Sequence, residues 1–131
     1  IVTHRGAAKY PDWVIPKSEI ELIYKMPIKT IYFIFSPFPW DIKKPSHIIG
    51  VFDGFLHILL VYCIFLNRKA IWADPALRII IYILLVYLFV YGVAVGNFGT
   101  GLRHRAKFIV MFILLAAPLL PRLSFSKKIK L

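Results

Sequence analysis

The chain has 131 residues, of which 60% are hydrophobic and 16% aromatic, and its mean hydropathy is +0.73. Soluble domains are about 45–50% apolar, and the segment 79–96 contains no charged residue, so the composition argues against a small soluble domain. The net charge of +11 can indicate a nucleic-acid-binding protein. Here, however, the Lys and Arg residues lie between and after the apolar runs, where they anchor spans and meet anionic lipid, so membrane lipid is the expected partner and nucleic acid is not.

The first 47 residues are expected to form an extramembrane region. Ser18 and Glu21 make a capping-box pattern that predicts a short amphipathic helix, and Pro27 predicts that this helix ends near Met26. Residues 28–40 are apolar and aromatic but too short to cross a bilayer, which favours an interfacial or re-entrant segment. The chain begins with Ile1 and a polar stretch, so we expect it to be the carboxyl-terminal piece of a longer polytopic protein.

Residues 48–126 are expected to form the transmembrane region. One span is predicted from Ile48 to Leu66 and a second over residues 76–95, with Pro75 in the first turn of the second helix. The apolar run from Phe108 to Pro121 is shorter, and it can cross only if the residues up to Phe125 are included. The expected fold class is therefore an all-α polytopic membrane protein with two to three transmembrane helices, followed by a basic tail over residues 127–131.

Charge asymmetry between the loops predicts the orientation. With three spans, the amino-terminal stretch and the 96–107 segment share one side, and the 67–75 connection and the tail share the other. The second group carries more Lys and Arg near the spans, so the positive-inside rule predicts that the tail is cytoplasmic.

Two ionisable residues lie inside the first predicted span. Asp53 and His57 are four residues apart and therefore share a helix face, and an ionisable residue in a span is by default a functional candidate. We consider two roles for this pair: catalysis, through sugar binding or general-base action, and structural anchoring. Cys63 is the single cysteine, and no Cys or His cluster has metal-ligand spacing, so neither a metal nor a cofactor is expected.

The segment from Gly96 to Lys107 combines glycines with cations. Glycine backbone amides can surround an anion. Arg103 and Arg105 point the same way if the segment is extended, whereas Arg103 and Lys107 share a face if it is helical. Both arrangements suit a phosphate or diphosphate, and the alternative is ordinary anchoring at the membrane interface.

This segment with the helix after it, GNFGTGLRHRAKFIVMFILLAAPLLPR, resembles the end of bacterial polymerases of surface polysaccharides. These are the O-antigen, capsule and exopolysaccharide polymerases of the Wzy type and related multi-spanning glycosyltransferases. The earlier IYFIFSPFPWDIKKPSHIIGVFDG is similar to the same proteins. The resemblance implies a multi-pass protein of the bacterial inner membrane that polymerises sugars carried on undecaprenyl diphosphate.

In such an enzyme, Arg103, Arg105 and Lys107 would bind the diphosphate of the lipid-linked oligosaccharide, and Asp53 and His57 would be catalytic. The remaining spans of a longer chain, or a larger membrane partner, would complete the active site. The alternatives from other classes are a non-catalytic small membrane subunit and a membrane-active protein.

Overall fold

The computed structural model describes residues 9–119, and these residues form helices joined by short connections. No strand occurs over this range apart from an isolated antiparallel bridge between Lys9 and Asn97. The helices are, in chain order, α1 (Glu19–Phe35), α2 (Ser46–Leu66), α3 (Arg68–Ala73), α4 (Pro75–Ala94) and α5 (Phe98–Ala116). Short 3₁₀ turns cover Pro39–Asp41 and Ala117–Leu119. The all-helical expectation is thus confirmed for the described residues, while the predicted basic tail lies outside them.

The two long apolar runs form helices α2 and α4, as the sequence predicts. They contain 21 and 20 residues, about 31 and 30 Å at 1.5 Å per residue, which matches the hydrocarbon thickness of a bilayer. Pro75 is the first residue of α4, and the Asp74 carboxylate caps that helix by accepting a hydrogen bond of 2.8 Å from the Ala76 amide. Only 17% of each apolar stretch is buried within the chain. A core helix of a soluble protein would be mostly buried, so both helices qualify as candidate membrane spans.

Helix α1 begins where the sequence predicts and ends nine residues later than predicted. The Ser18 hydroxyl accepts a hydrogen bond from the Glu21 amide, which confirms the amino-terminal cap. The predicted end near Met26 is wrong, because α1 continues through Pro27 to Phe35. A proline inside a helix costs about 3 kcal/mol. Packing of the second half of α1 against α2, α4 and α5 offsets this cost.

The predicted interfacial segment 28–40 is therefore not a single unit. Residues 28–35 complete α1, and residues 36–41 form the turn that leads towards α2. Tyr32 and Phe33 are buried inside the helical packing, whereas Trp40 is exposed. The aromatic residues of this segment are thus divided between the core and the surface.

Helices α2 and α5 lie side by side and run in the same direction. Arg105 contacts Asp53 near their amino-terminal ends, and Asn67 contacts Leu115 and Ala116 at their carboxyl-terminal ends. The Asn67 side-chain amide donates to both carbonyl groups, at 3.2 and 3.1 Å, which satisfies acceptors that the end of a helix leaves free. Helix α5 thus packs beside α2 along most of the length of α2.

Helix α5 contains most of the 96–107 segment. The break after α4 is short, because Asn97 already caps α5 by accepting a hydrogen bond of 2.8 Å from the Gly99 amide. The basic residues after it are therefore helical. The apolar run from Phe108 onwards forms the later turns of α5. With 19 residues, α5 is long enough for a candidate span, but over the described residues it is not apolar enough to be one.

Candidate functional site

Arg105 connects three helices from inside the packing. Its side chain is only 1% exposed, and its Nη2 atom forms an ion pair with the Asp53 carboxylate of α2. Its Nη1 atom donates to the carbonyl oxygens of Phe33 at 3.1 Å and Ile34 at 2.5 Å, in the last turn of α1. Those carbonyls have no partner within their own helix. The guanidinium therefore caps α1, holds α2 and neutralises a carboxylate at the same time.

His57 lies beside this ion pair and is fully buried. Its Nδ1 atom is 2.8 Å from the Asp53 backbone carbonyl oxygen and 3.5 Å from the Asp53 carboxylate. The Phe112 ring of α5 meets the imidazole edge-on, with ring centroids 5.2 Å apart. The shared helix face of Asp53 and His57 is confirmed, and the Asp53 side chain keeps 27% of its surface exposed.

The structure separates the three cations that the sequence grouped into one diphosphate site. Arg103 and Lys107 are exposed and lie one turn apart on the same side of α5, whereas Arg105 faces inwards. Residues two apart in a helix point in nearly opposite directions. The helical alternative of the sequence analysis therefore applies, and Arg103 and Lys107 are the pair that faces out together.

Two buried polar residues of the site region were not identified from the sequence. Lys29 is 6% exposed, and its amine donates to the Val93 carbonyl in the last turn of α4. Tyr10 precedes α1 and packs at the amino-terminal end of α5, where its amide donates to the Gly96 carbonyl at 3.0 Å. Burial raises the pKa of Tyr10 to about 12, so its hydroxyl stays protonated. Lys29 could have been identified from the sequence, because it is a charged residue inside the apolar run 28–40. Nothing in the sequence distinguishes Tyr10.

Aromatic side chains form a connected surface near the start of α2. The ring centroids of Trp13 and Tyr32 are 5.5 Å apart, those of Tyr32 and Phe38 are 5.2 Å apart, and Phe38 stacks on Trp40 at 4.8 Å. Trp13 and Trp40 at the two ends are 59% and 73% exposed. Exposed tryptophans next to the end of an apolar helix are typical of the headgroup level of a bilayer.

Among the residues that the structure describes, no group of three or more His, Cys, Asp or Glu side chains is placed so that it could hold a metal ion. The chain matches no protein-family model, no curated protein and no solved structure.

Proposed function

We propose that this chain is an integral membrane protein of bacterial envelope polysaccharide assembly. In this proposal it forms the carboxyl-terminal part of a glycosyl-polymerising enzyme that acts on sugars linked to undecaprenyl diphosphate. The observation that carries the proposal is the exposed pair Arg103 and Lys107 on α5, alongside the amino-terminal half of the candidate membrane span α2. The resemblance in sequence supplies the reaction class.

The position of this pair suits a lipid-linked diphosphate. Leu102 of α5 packs at Gly50 of α2, which is four residues, or about 6 Å, from the start of the candidate span. Arg103 follows Leu102 directly, and Lys107 lies one turn deeper. Long cationic side chains at such a depth extend towards the headgroups. A planar guanidinium and a flexible ammonium together can neutralise a diphosphate.

The charges also suit the reaction. Forming a glycosidic bond expels the carrier diphosphate, and cations placed where negative charge develops stabilise the transition state. Asp53 lies at the level of Arg105, between Arg103 and Lys107 along α5, and His57 lies one turn further, beside Phe112. The Asp53 carboxylate is partly exposed. In this proposal Asp53 and His57 act on the attacking hydroxyl group. Arg105 contributes by holding Asp53, because its two terminal nitrogens, Nη1 and Nη2, already contact protein oxygens.

A non-catalytic membrane subunit is the second candidate. The outer faces of α2 and α4 carry large apolar side chains, among them Ile49 at 75%, Phe52 at 72% and Val86 at 63% exposure. Such faces can pack against the helices of a larger membrane partner. In that case Arg103 and Lys107 would serve only as interfacial anchors.

Ligand binding separates the two candidates. The full chain would be placed in lipid nanodiscs, and its thermal unfolding measured with added undecaprenyl diphosphate or with the same mole fraction of phosphatidylglycerol. We expect the diphosphate to raise Tm well beyond the effect of phosphatidylglycerol. Replacing both Arg103 and Lys107 by Gln should weaken diphosphate binding roughly a hundred-fold or more, because each of the two charge-assisted hydrogen bonds contributes about 1.5–3 kcal/mol, or about tenfold at the least.

Arg68→Gln with Lys69→Gln is the matched control, since these exposed cations lie at the opposite end of α2. This control should bind the diphosphate as the unmodified chain does. If both lipids raise Tm equally, or if both double variants lose diphosphate affinity equally, then Arg103 and Lys107 are only interfacial anchors. In cells, the double variant of Arg103 and Lys107 should produce less surface polymer while its abundance in the membrane is unchanged. That result would link diphosphate binding to the polymerisation reaction.

A further inference from the structure

We infer that His57 is a neutral base with its proton on Nδ1 and a free Nε2, and that Arg105 is the positioning residue that keeps it so by neutralising Asp53. The inference concerns a protonation state, and it stands apart from the polysaccharide proposal. The three side chains come from two parallel helices, α2 and α5.

The tautomer follows from the neighbours of Nδ1. This nitrogen lies 2.8 Å from the Asp53 backbone oxygen and 3.5 Å from an Asp53 carboxylate oxygen. Both neighbours are acceptors, so Nδ1 must carry the hydrogen, and a neutral imidazole then has a lone pair on Nε2. Within the described residues, Nε2 is buried and has no hydrogen-bond partner. The nitrogen that is free to take a proton is therefore Nε2.

The charge state follows from the Arg105 ion pair. The charged groups beside His57 are Asp53 on its own helix, 3.5 Å from Nδ1, and Arg105 of α5, which pairs with Asp53. A lone carboxylate beside a buried imidazole favours the imidazolium ion. Arg105 already neutralises this carboxylate, so a proton on His57 would leave a second, uncompensated cation inside the packing. Tyr10, which faces Arg105, is neutral below about pH 12.

The phenyl ring of Phe112 packs edge-on against the imidazole and adds no charge. A proton taken up by His57 would bind at the buried Nε2 atom, and the imidazolium would be a second cation beside one carboxylate. Asp53, His57 and Arg105 thus form a buried cluster, within a candidate membrane span, in which His57 stays neutral.

Nitrogen NMR of the ring tests both steps. The full chain, with ¹⁵N-labelled histidine, would be studied in nanodiscs between about pH 5 and 8. The signal of His57 is identified by its loss in His57→Gln. In the unmodified chain we expect a neutral ring with the proton on Nδ1 at pH 7. A proton on Nε2, or a doubly protonated ring at pH 7, would overturn the inference without any variant.

Charge variants then test the part played by Arg105. Arg105→Gln leaves the Asp53 carboxylate unpaired, so the ratio of protonated to neutral His57 at a given pH should rise about tenfold or more. Adding Asp53→Asn removes the unpaired charge and should return His57 to the neutral state. Asp53→Asn alone should keep it neutral throughout the range.

Arg103→Gln is the matched control, because it removes a guanidinium two residues away on the exposed side of α5. It should leave the His57 spectrum unchanged. If Arg105→Gln does not fold, the double variant and Asp53→Asn still decide the question, since a protonated ring at pH 7 in either would contradict the argument. Failure to bind undecaprenyl diphosphate would leave the His57 spectra unaffected, so the two proposals fail separately.

Discussion

The Arg105 guanidinium of α5 and the Asp53 carboxylate of α2 form an ion pair between two parallel helices. Arg105 also donates to two carbonyl groups at the end of α1, so a single side chain determines how three helices meet. A surface ion pair would contribute little to stability. This pair is different, because the guanidinium is buried. Replacing Arg105 removes the ion pair and both hydrogen bonds to α1 at once.

The ion pair predicts a large difference between two neighbouring arginines. Arg105→Met should lower the free energy of unfolding by about 3–5 kcal/mol, because it leaves a carboxylate without its buried partner. Arg103→Met on the exposed side should change it by no more than about 0.5 kcal/mol. Unfolding in mixed micelles with increasing SDS, followed by circular dichroism, measures both values. Similar losses in the two variants would contradict the packing of α5 described above.

Close contact between α1 and α4 predicts the effect of a single methyl group. A Cβ atom added to Gly92 would lie 2.8 Å from the Thr30 Cα atom, and backbone cannot move aside as a flexible side chain can. Gly92→Ala should therefore cost about 1–3 kcal/mol of stability through overpacking. Gly99→Ala is the matched control, since its Cβ would meet only the Asn97 side chain at 3.4 Å. There we expect a neutral effect or a small gain from helix propensity, and the same unfolding assay applies.

Asp41 predicts a dependence of stability on pH. It lies in the turn before α2, where its carboxylate accepts a hydrogen bond of 3.3 Å from the Phe38 amide. Burial raises the pKa of Asp41 above its ordinary value, so the folded state holds this proton more tightly than the unfolded state. Its contribution to stability is therefore greatest below the ordinary value, and it is lost as the pH rises through the raised pKa.

Asp41→Asn removes the charge and keeps an acceptor for the Phe38 amide. We expect it to raise Tm at pH 7 and to have a smaller effect at about pH 3, below the ordinary pKa of an aspartate. Thermal unfolding of both chains in the same detergent at the two pH values measures the difference, so the other titrating groups cancel. A lower Tm for the variant at pH 7 would show that the charge itself stabilises the turn.

If α2 crosses the membrane, Trp40 and Trp72 lie on opposite sides of it. Trp40 lies before the start of α2, and Trp72 lies in α3, between the end of α2 and the start of α4. Both side chains are exposed. In a Cys63→Ser background, Trp40→Cys should react with a membrane-impermeant maleimide in intact bacteria. Trp72→Cys should react only after permeabilisation, if the 67–75 connection is cytoplasmic as the positive-inside rule predicts. The reverse pattern would invert the orientation, and labelling of both in intact cells would rule out a spanning hairpin.

The amino-acid sequence by itself determined the local features of this protein. The lengths of the apolar runs predicted α2 and α4, Ser18 and Pro75 predicted two helix starts, and the four-residue spacing placed Asp53 beside His57. Each of these features depends on residues within a few turns of one another. Helix length, capping and side-chain periodicity are properties of a single segment, so a sequence pattern contains them.

The tertiary structure alone decided which arginine is buried and where α1 ends. Arg103 and Arg105 have the same chemistry and nearly the same position in the chain. The register of α5 against α2 places Asp53 and the last carbonyls of α1 at Arg105 and leaves Arg103 outside. In the same way, α1 continues past Pro27 because its second half packs against three other helices. These contacts join residues dozens of positions apart, and their energies exceed the local preferences that the sequence displays.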